Sequence, residues 1–315
     1  MIRQFFNILF QLYKEIFMEL RVLHYFLAVA REQSISKAAE SLHLSQPTLS
    51  TQLKNMEEEL GKQLMIRGTK GSRKIVLTDE GMLLRKRAEE ILELVRKTEN
   101  EIMLTDETIV GDVFIGTGET DTIRLIAKTA QEVKKNYPEI HYHISSGNAR
   151  YVMEKLDKGL IDFGILYDSV DLTKYDSIQI PVKDSWGVLM RKDSSLADKE
   201  FISPEDLWDK PLIVSQQENQ GGELSGWLKR DLSTLNVIAT YNLLFSASLL
   251  VDEGMGYAIC FDKIINPTGS NLCFRPLKPK LEATAYLVWK KYQMFSKAAD
   301  KFLDFMQIQL SSEEI

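Results

Sequence analysis

The chain has 315 residues, 44% hydrophobic and 27% charged, the balance of an ordinary globular protein of two or three domains. A formal net charge of −6 argues against a wholly basic, histone-like nucleic-acid binder, and no apolar run approaches the roughly 20 residues that span a bilayer, so no membrane role is expected. Two cysteines, Cys260 and Cys273, are too few for a disulfide framework and fit a reducing, cytoplasmic setting.

The charge is unevenly spread. Residues 18–78 carry nine Lys and Arg against six Asp and Glu, residues 79–107 five against nine, and residues 108–315 23 against 29. Of these three segments only the first is net positive, as a local phosphate-facing surface requires.

Residues 1–17, MIRQFFNILFQLYKEIF, are rich in Phe, Ile and Leu. Three readings stand. A secretory signal would need a small-residue cleavage site and a long apolar core, and both are missing. An amphipathic helix could pack on a partner. Alternatively, translation begins at Met18: Lys14-Glu15-Ile16-Phe17-Met18 can be encoded by AAG-GAG-AUA-UUU-AUG, a purine-rich ribosome-binding sequence just ahead of a start codon. On that reading residues 1–17 are a mis-started or disordered leader.

Glu19 to Arg31 reads as a helix with Leu20, Leu23, Phe26, Leu27 and Ala30 on its apolar face. Gln33-Ser34 breaks it, and Ser36 is placed to cap a second helix running to about His43, in which Ala38 and Ala39 permit close crossing. A third helix, Ser45 to Gly61, has both ends marked. Ser45 caps it, Pro47 occupies the first turn and Gly61 stops it. Leu49, Leu53, Met56 and Leu60 form one stripe. Gln46, Pro47, Thr48, Ser50, Thr51 and Lys54 crowd the first half, while Glu57, Glu58 and Glu59 turn the second half acidic. Helix, short turn and capped polar-faced helix make a helix-turn-helix. Leu64–Arg67 and Lys74–Leu77 then read as strands of a β-hairpin wing, with Arg67, Lys70 and Arg73 at or near a tip suited to phosphates or a minor groove.

The run LHYFLAVAREQSISKAAESLHLSQPTLSTQLKNMEEELGKQLMIR, followed by VLTDEG, resembles the LysR-type transcriptional regulators. The likeness extends over residues 18 to about 310. It departs from the family's common pattern at Met65, where Phe is frequent, and at Glu80, where Ala is frequent; neither lies on the expected DNA face. The resemblance implies a DNA-binding regulator and no catalysis. Its fold would be an N-terminal winged helix-turn-helix (18–78), a dimerising linker helix (79–107) and a C-terminal two-lobed α/β domain (108–315) similar to periplasmic solute-binding proteins. Lobe I would comprise about 108–181 and 282–315, and lobe II about 182–281.

Thr78 caps the long helix, with Asp79 and Glu80 in its first turn. Leu84, Ala88, Ile91, Val95, Thr98 and Ile102 step by fours and threes, a heptad seam that predicts pairing with a second copy. From Val110 the pattern alternates: strand Val113–Gly116, helix Thr122–Tyr137, strand Ile140–Ile144, helix Arg150–Lys158 and strand Phe163–Leu166. This predicts a parallel sheet covered by helices. Further strands are expected at Trp186–Met190, Leu212–Val214, Val237–Tyr241, Tyr257–Ile259 and Glu282–Trp289. Helices are expected at Glu223–Thr234, Ser246–Glu253 and Ser296–Gln309.

Ligands of open α/β sheets bind beyond the carboxyl ends of strands. Those ends carry Thr117, Glu119 and Thr120; Ser146 and Asn148; Ser215 and Gln216; and Phe245 and Ser246. Each alone is an ordinary cap, but four clusters converge on one inter-lobe cleft, where the resemblance also places a small-molecule effector. Glu119 and Glu218, if either faces that cleft, favour an effector bearing an amine or other cation.

No nucleophile elbow, phosphate loop or complete GxGxxG occurs. His141-x-His143 reads as strand alternation rather than a metal site, and no cofactor is expected. Two alternatives remain: a solute-binding protein without a DNA role, and a regulator that senses oxidants through cysteine, for which both cysteines look too buried. The partners expected are double-stranded promoter DNA, a small effector and a second copy in a dimer or tetramer, with RNA polymerase as a further candidate.

Overall fold

Apolar spacing sets the first three helices of the N-terminal unit. Helix α1 (Leu20–Glu32) buries Leu23, Phe26 and Val29 and ends at Gln33, whose backbone is left-handed at φ 51°. That turn leaves Ser34 extended, and Ser34 accepts the Lys37 N–H as cap of α2 (Ile35–Ser41). The expected cap, Ser36, already lies inside the helix, and α2 stops at Ser41 rather than His43 because Leu42 takes the C-cap position. Ala38 and Ala39 are fully enclosed, which lets α3 (Gln46–Leu60) pack close against α2.

Ser45 accepts the Thr48 N–H at the start of α3, and Gly61 terminates it at φ 63°. Strands β1 (Met65–Arg67) and β2 (Ile75–Leu77) pair antiparallel. Helix α4 (Asp79–Met103) starts on Thr78, whose hydroxyl accepts the Gly81 N–H and donates to the Gln63 carbonyl. A Cβ at Gly81 would fall 2.1 Å from the Leu64 carbonyl oxygen, so only glycine lets the helix start so close to the wing.

The structure, a computed structural model, describes residues 18–68, 74–103, 109–167, 173–216 and 223–313. The expectations for residues 1–17, Lys70, Arg73 and Glu218 lie outside these residues, as does the side chain of Arg67. The chain forms two compact units that meet in sequence at Ile102–Met103. No described helix is long and apolar enough to cross a membrane.

In the second unit, β3 (Gly111–Thr117), β4 (Ile140–Ser146) and β5 (Phe163–Tyr167) alternate with α5 (Ile123–Asn136) and α6 (Ala149–Asp157). A 17-residue strand, β6 (Tyr175–Arg191), follows. After it come β7 (Leu212–Ser215), α7 (Glu223–Leu228), β8 (Val237–Tyr241), α8 (Leu244–Asp252), β9 (Tyr257–Phe261), β10 (Leu272–Pro276), β11 (Glu282–Lys290) and α9 (Lys297–Glu313). The strand order is β4-β3-β5-β11-β6-β9-β7-β8, with β10 on β6.

The sheet is mixed, not parallel throughout. β3 pairs parallel with β4 and β5, and β7 pairs parallel with β8 and β9, but β6, β10 and β11 pair antiparallel. The strand–helix alternation that enforces parallel pairing lapses at β11 and at β6, the strand that runs from lobe I into lobe II. β6 pairs with β11 up to Ser185 and with β9 from Trp186, and the Trp186 N–H donates to the Leu281 carbonyl. The expected helix Glu223–Thr234 is also shorter. α7 ends at Leu228, Lys229 is left-handed at φ 54°, and a separate 3-10 turn covers Leu232–Thr234 with Asp231 as its cap.

Lobe I buries Val113, Ile115, Phe163 and Ile165 against Phe302 and Met306 of α9, with Val152 and Leu156 of α6 on the other face. Lobe II buries Val188, Met190 and Val214 against Trp227 and Leu228, with Leu244, Ala247 and Val251 of α8 behind Leu189 and Ile213.

Candidate functional site

Helix α3 divides into two faces. Leu49, Leu53 and Met56 are buried, whereas Gln46, Pro47, Thr48, Thr51 and Lys54 are exposed and Ser50 is half-buried. The exposed set holds short hydrogen-bonding groups over the helix N-terminus, where unsatisfied N–H groups and the macrodipole favour anions. Ser36 reaches this face from α2, and its hydroxyl donates to Gln46 Oε1 at 3.2 Å. Lys54 stands 3.2 Å from Glu58, an exposed pair of small energetic weight that leaves the ammonium available to a phosphate.

Glu57, in the acidic half of the helix, has a role that its sequence pattern does not show. One carboxylate oxygen accepts the Leu64 and Met65 N–H groups at 2.8 and 3.1 Å, fixing the first wing strand to α3. The signal available was its position one turn before Gly61, but nothing local names the partners, which lie seven and eight residues on.

Along α4 the expected seam splits. Leu84 packs on the winged domain's core and Ala88 is buried, while Val95 is half-buried. Ile91 is 39% exposed, Leu94 42% and Ile102 77%, an apolar strip unfilled by its own chain's described residues.

At the cleft, β3 and β4 end in register, Thr117 beside Ser146, and the Gly147 N–H donates to the Thr117 carbonyl. In lobe II, Ser215 pairs with Tyr241 just ahead of α8, which carries Phe245 and Ser246. A hydrogen bond reaches across to α8: the Glu119 carboxylate accepts the N–H of Leu244, the first residue of that helix. Ser146, Gln216, Phe245 and Ser246 are exposed, and Ser215 is buried. Thr117 is buried with its hydroxyl on the Gly118 carbonyl, and Asn148 caps α6 by accepting the Tyr151 N–H at 2.9 Å.

Asp184, on β6 next to its change of partners, is a buried joint that no local pattern in the sequence marks. It is 4% exposed, and one of its oxygens accepts the hydroxyls of Thr120 at 2.6 Å, Thr122 at 2.9 Å and Tyr167 at 2.7 Å. Thr122, the expected first residue of the helix, is the N-cap of α5, which begins at Ile123, and its hydroxyl is spent on Asp184. Burial first, then the Asp184 charge, holds the Tyr167 phenol far above its usual range.

Burial likewise pushes both thiols up: Cys260 is enclosed in lobe II and well above the ordinary thiol range, and Cys273 is shifted the same way. Thiolate chemistry needs the opposite shift. His143 contacts Asp112 at 2.8 Å and stacks on Phe114, and the described residues hold no cluster of three or more metal-ligating side chains.

Residues 20–82 match the family described as "Bacterial regulatory helix-turn-helix protein, lysR family", and residues 107–311 match "LysR substrate binding domain". The chain is 27% identical over 292 residues to the HTH-type transcriptional regulator YfeR of Shigella flexneri, covering 92% of this chain and 94% of that one. It is 28% identical over 302 residues to the Hca operon transcriptional activator HcaR of Escherichia coli K12, covering 94% and 99%. Its fold is similar to that of full-length CbnR complexed with target DNA, at a TM-score of 0.70 and 19% identity over 92% of this chain and 99% of that one. HinK, a LysR family regulator from Pseudomonas aeruginosa, matches at a TM-score of 0.52 and 22% identity, covering 93% and 98%.

Proposed function

The chain belongs to the LysR family of transcriptional regulators, with a helix-turn-helix DNA-binding domain and an effector-binding domain, and on that premise we propose how its own residues divide the work. Gln46, Pro47, Thr48, Ser50, Thr51 and Lys54 enter the major groove, with Ser36 holding the Gln46 amide. Arg67, Lys70 and Arg73 meet backbone phosphates. The observation that carries this is the split of α3, with Leu49, Leu53 and Met56 buried under an exposed, capped, hydrogen-bonding face.

Two copies join along α4 through Ile91, Leu94 and Ile102, which places two recognition helices on one interrupted palindrome and multiplies the affinity of each. A small molecule enters the cleft lined by Glu119, Ser146, Ser215, Gln216, Phe245 and Ser246. It biases the lobe arrangement, and the α4 helices relay that bias to half-site spacing and DNA bend. Such a protein works in the cytoplasm, on chromosomal DNA.

Retardation of the intergenic DNA beside the gene tests this. Binding is expected to weaken steeply between 50 and about 200 mM salt, with a log–log slope of about −0.9 per phosphate contacted. Absence of retardation at low salt overturns the assignment of these residues to DNA.

A further inference from the structure

Helix α8 has no cap of its own. Leu243, its N-cap residue, supplies no side-chain hydrogen bond, and the helix has no acidic residue in its first turn. The cap comes from the other lobe, where Glu119 places its carboxylate on the Leu244 N–H, 125 residues away in sequence. A carboxylate at a helix N-terminus answers both an unsatisfied donor and the positive end of the dipole, and partial burial strengthens each effect.

The segment bearing Glu119 is itself held on both sides. Thr120 and Thr122 are tied through their hydroxyls to buried Asp184 on β6, close to where β6 changes partners from β11 to β9. Asp121 pairs with Arg124 at 2.5 Å in its own lobe and stands 3.7 Å from Lys263 of lobe II. Beneath the segment, Tyr167 of lobe I lies against Phe261 of lobe II, their ring centroids 5.1 Å apart.

We propose that Gly118–Thr122 is an inter-lobe latch: Asp184 fixes its base to the crossover strand, and Glu119 reaches over to hold α8 and with it the lobe arrangement. Breaking one charge-assisted hydrogen bond, with the weaker Asp121–Lys263 pair, frees lobe II to turn about β6 and the return at Leu281 that leads into β11, without disturbing either core. The latch rests on the regulator reading for its use, since that reading makes lobe orientation the signal. It also accounts for Glu119 without an amine-bearing effector, because the carboxylate is already engaged by a backbone donor.

Amide hydrogen exchange on the full-length protein tests it, comparing wild type with Glu119→Ala and Glu119→Gln. Glu119→Ala is expected to speed exchange at Leu244 about tenfold while β7 and β9 keep their protection, and Glu119→Gln, which retains a neutral acceptor, should fall between. Unchanged exchange at Leu244 in Glu119→Ala overturns the latch. So does an equal rise throughout lobe II in both variants, which would make Glu119 a support of the fold instead. DNA retardation by the same samples keeps the two readings apart. Loss of DNA binding in the wild type sinks the regulator reading and leaves the exchange result standing; normal DNA binding with unchanged exchange sinks only the latch.

Discussion

The Thr120 hydroxyl donates to the Asp184 carboxylate at 2.6 Å, joining the end of β3 to the strand that runs from one lobe into the other. Asp184 takes two more hydroxyls, from Thr122 and Tyr167, and shows only 4% of its surface. A buried carboxylate is costly unless it is hydrogen-bonded, so the three donors and the acceptor require one another.

Replacing Asp184 by Ala should therefore strand three donors at once. The expected loss is about 3 kcal/mol, smaller for Asp184→Asn, which keeps one acceptor oxygen. Urea unfolding followed by tryptophan fluorescence measures it. An unchanged midpoint in Asp184→Ala would show that the hydroxyls find other partners.

The same site makes an alkaline signature. Burial, then the neighbouring carboxylate, raises the Tyr167 phenol in the folded state, so folding favours the protonated form. Its contribution is complete below the unfolded phenol's value of about 10 and is lost as pH climbs above it. The stability of wild type should thus fall more steeply above about pH 10 than that of Tyr167→Phe, which cannot ionise. Parallel curves would remove Tyr167 from the account.

On α3, Ser50→Ala with Thr51→Ala should abolish specific retardation while far-ultraviolet dichroism and melting temperature stay near wild type, because Thr51 is exposed and Ser50 half-buried. Lys54→Ala should instead weaken all DNA alike and flatten the salt slope by about 0.9, one phosphate's worth. A collapse of the fold in the double variant would mean that the buried and DNA-facing sides are reversed.

Glu57 should matter to the winged domain's stability and little to DNA chemistry. Removing its carboxylate frees the Leu64 and Met65 amides, and Glu57→Ala is expected to cost about 2 kcal/mol. Glu58→Ala, on the exposed side, should cost under about 0.5 kcal/mol. Equal effects would refute the anchoring role.

For the linker helix, Ile102→Asp with Ile91→Asp should halve the mass seen in sedimentation equilibrium and weaken retardation, since two charges would enter an apolar seam. An unchanged mass would place the self-association elsewhere.

Much of the N-terminal unit was legible because its signals are local. Ser45, Pro47 and Gly61 mark both ends of α3, Leu49, Leu53 and Met56 mark its buried face, and Thr78 starts α4. Where a local signal was misread, a neighbouring residue decided it: the left-handed turn at Gln33 gave the cap of α2 to Ser34 and left Ser36 to Gln46. Helix periodicity and strand alternation extend over three or four residues, and so does what they can specify.

The sequence alone thus determined the family, the helix-turn-helix with its capped polar-faced helix, and the strand–helix order of the two-lobed domain. Only the tertiary structure decided that β11 pairs antiparallel with β5 and β6 while β6 runs on into lobe II to pair with β9, that Asp184 gathers three hydroxyls from segments 17 to 64 residues away, and that Glu119 caps a helix 125 residues on. The reason is physical: a carboxylate's role is set by which donors surround it once water is excluded, and long-range packing brings those donors there.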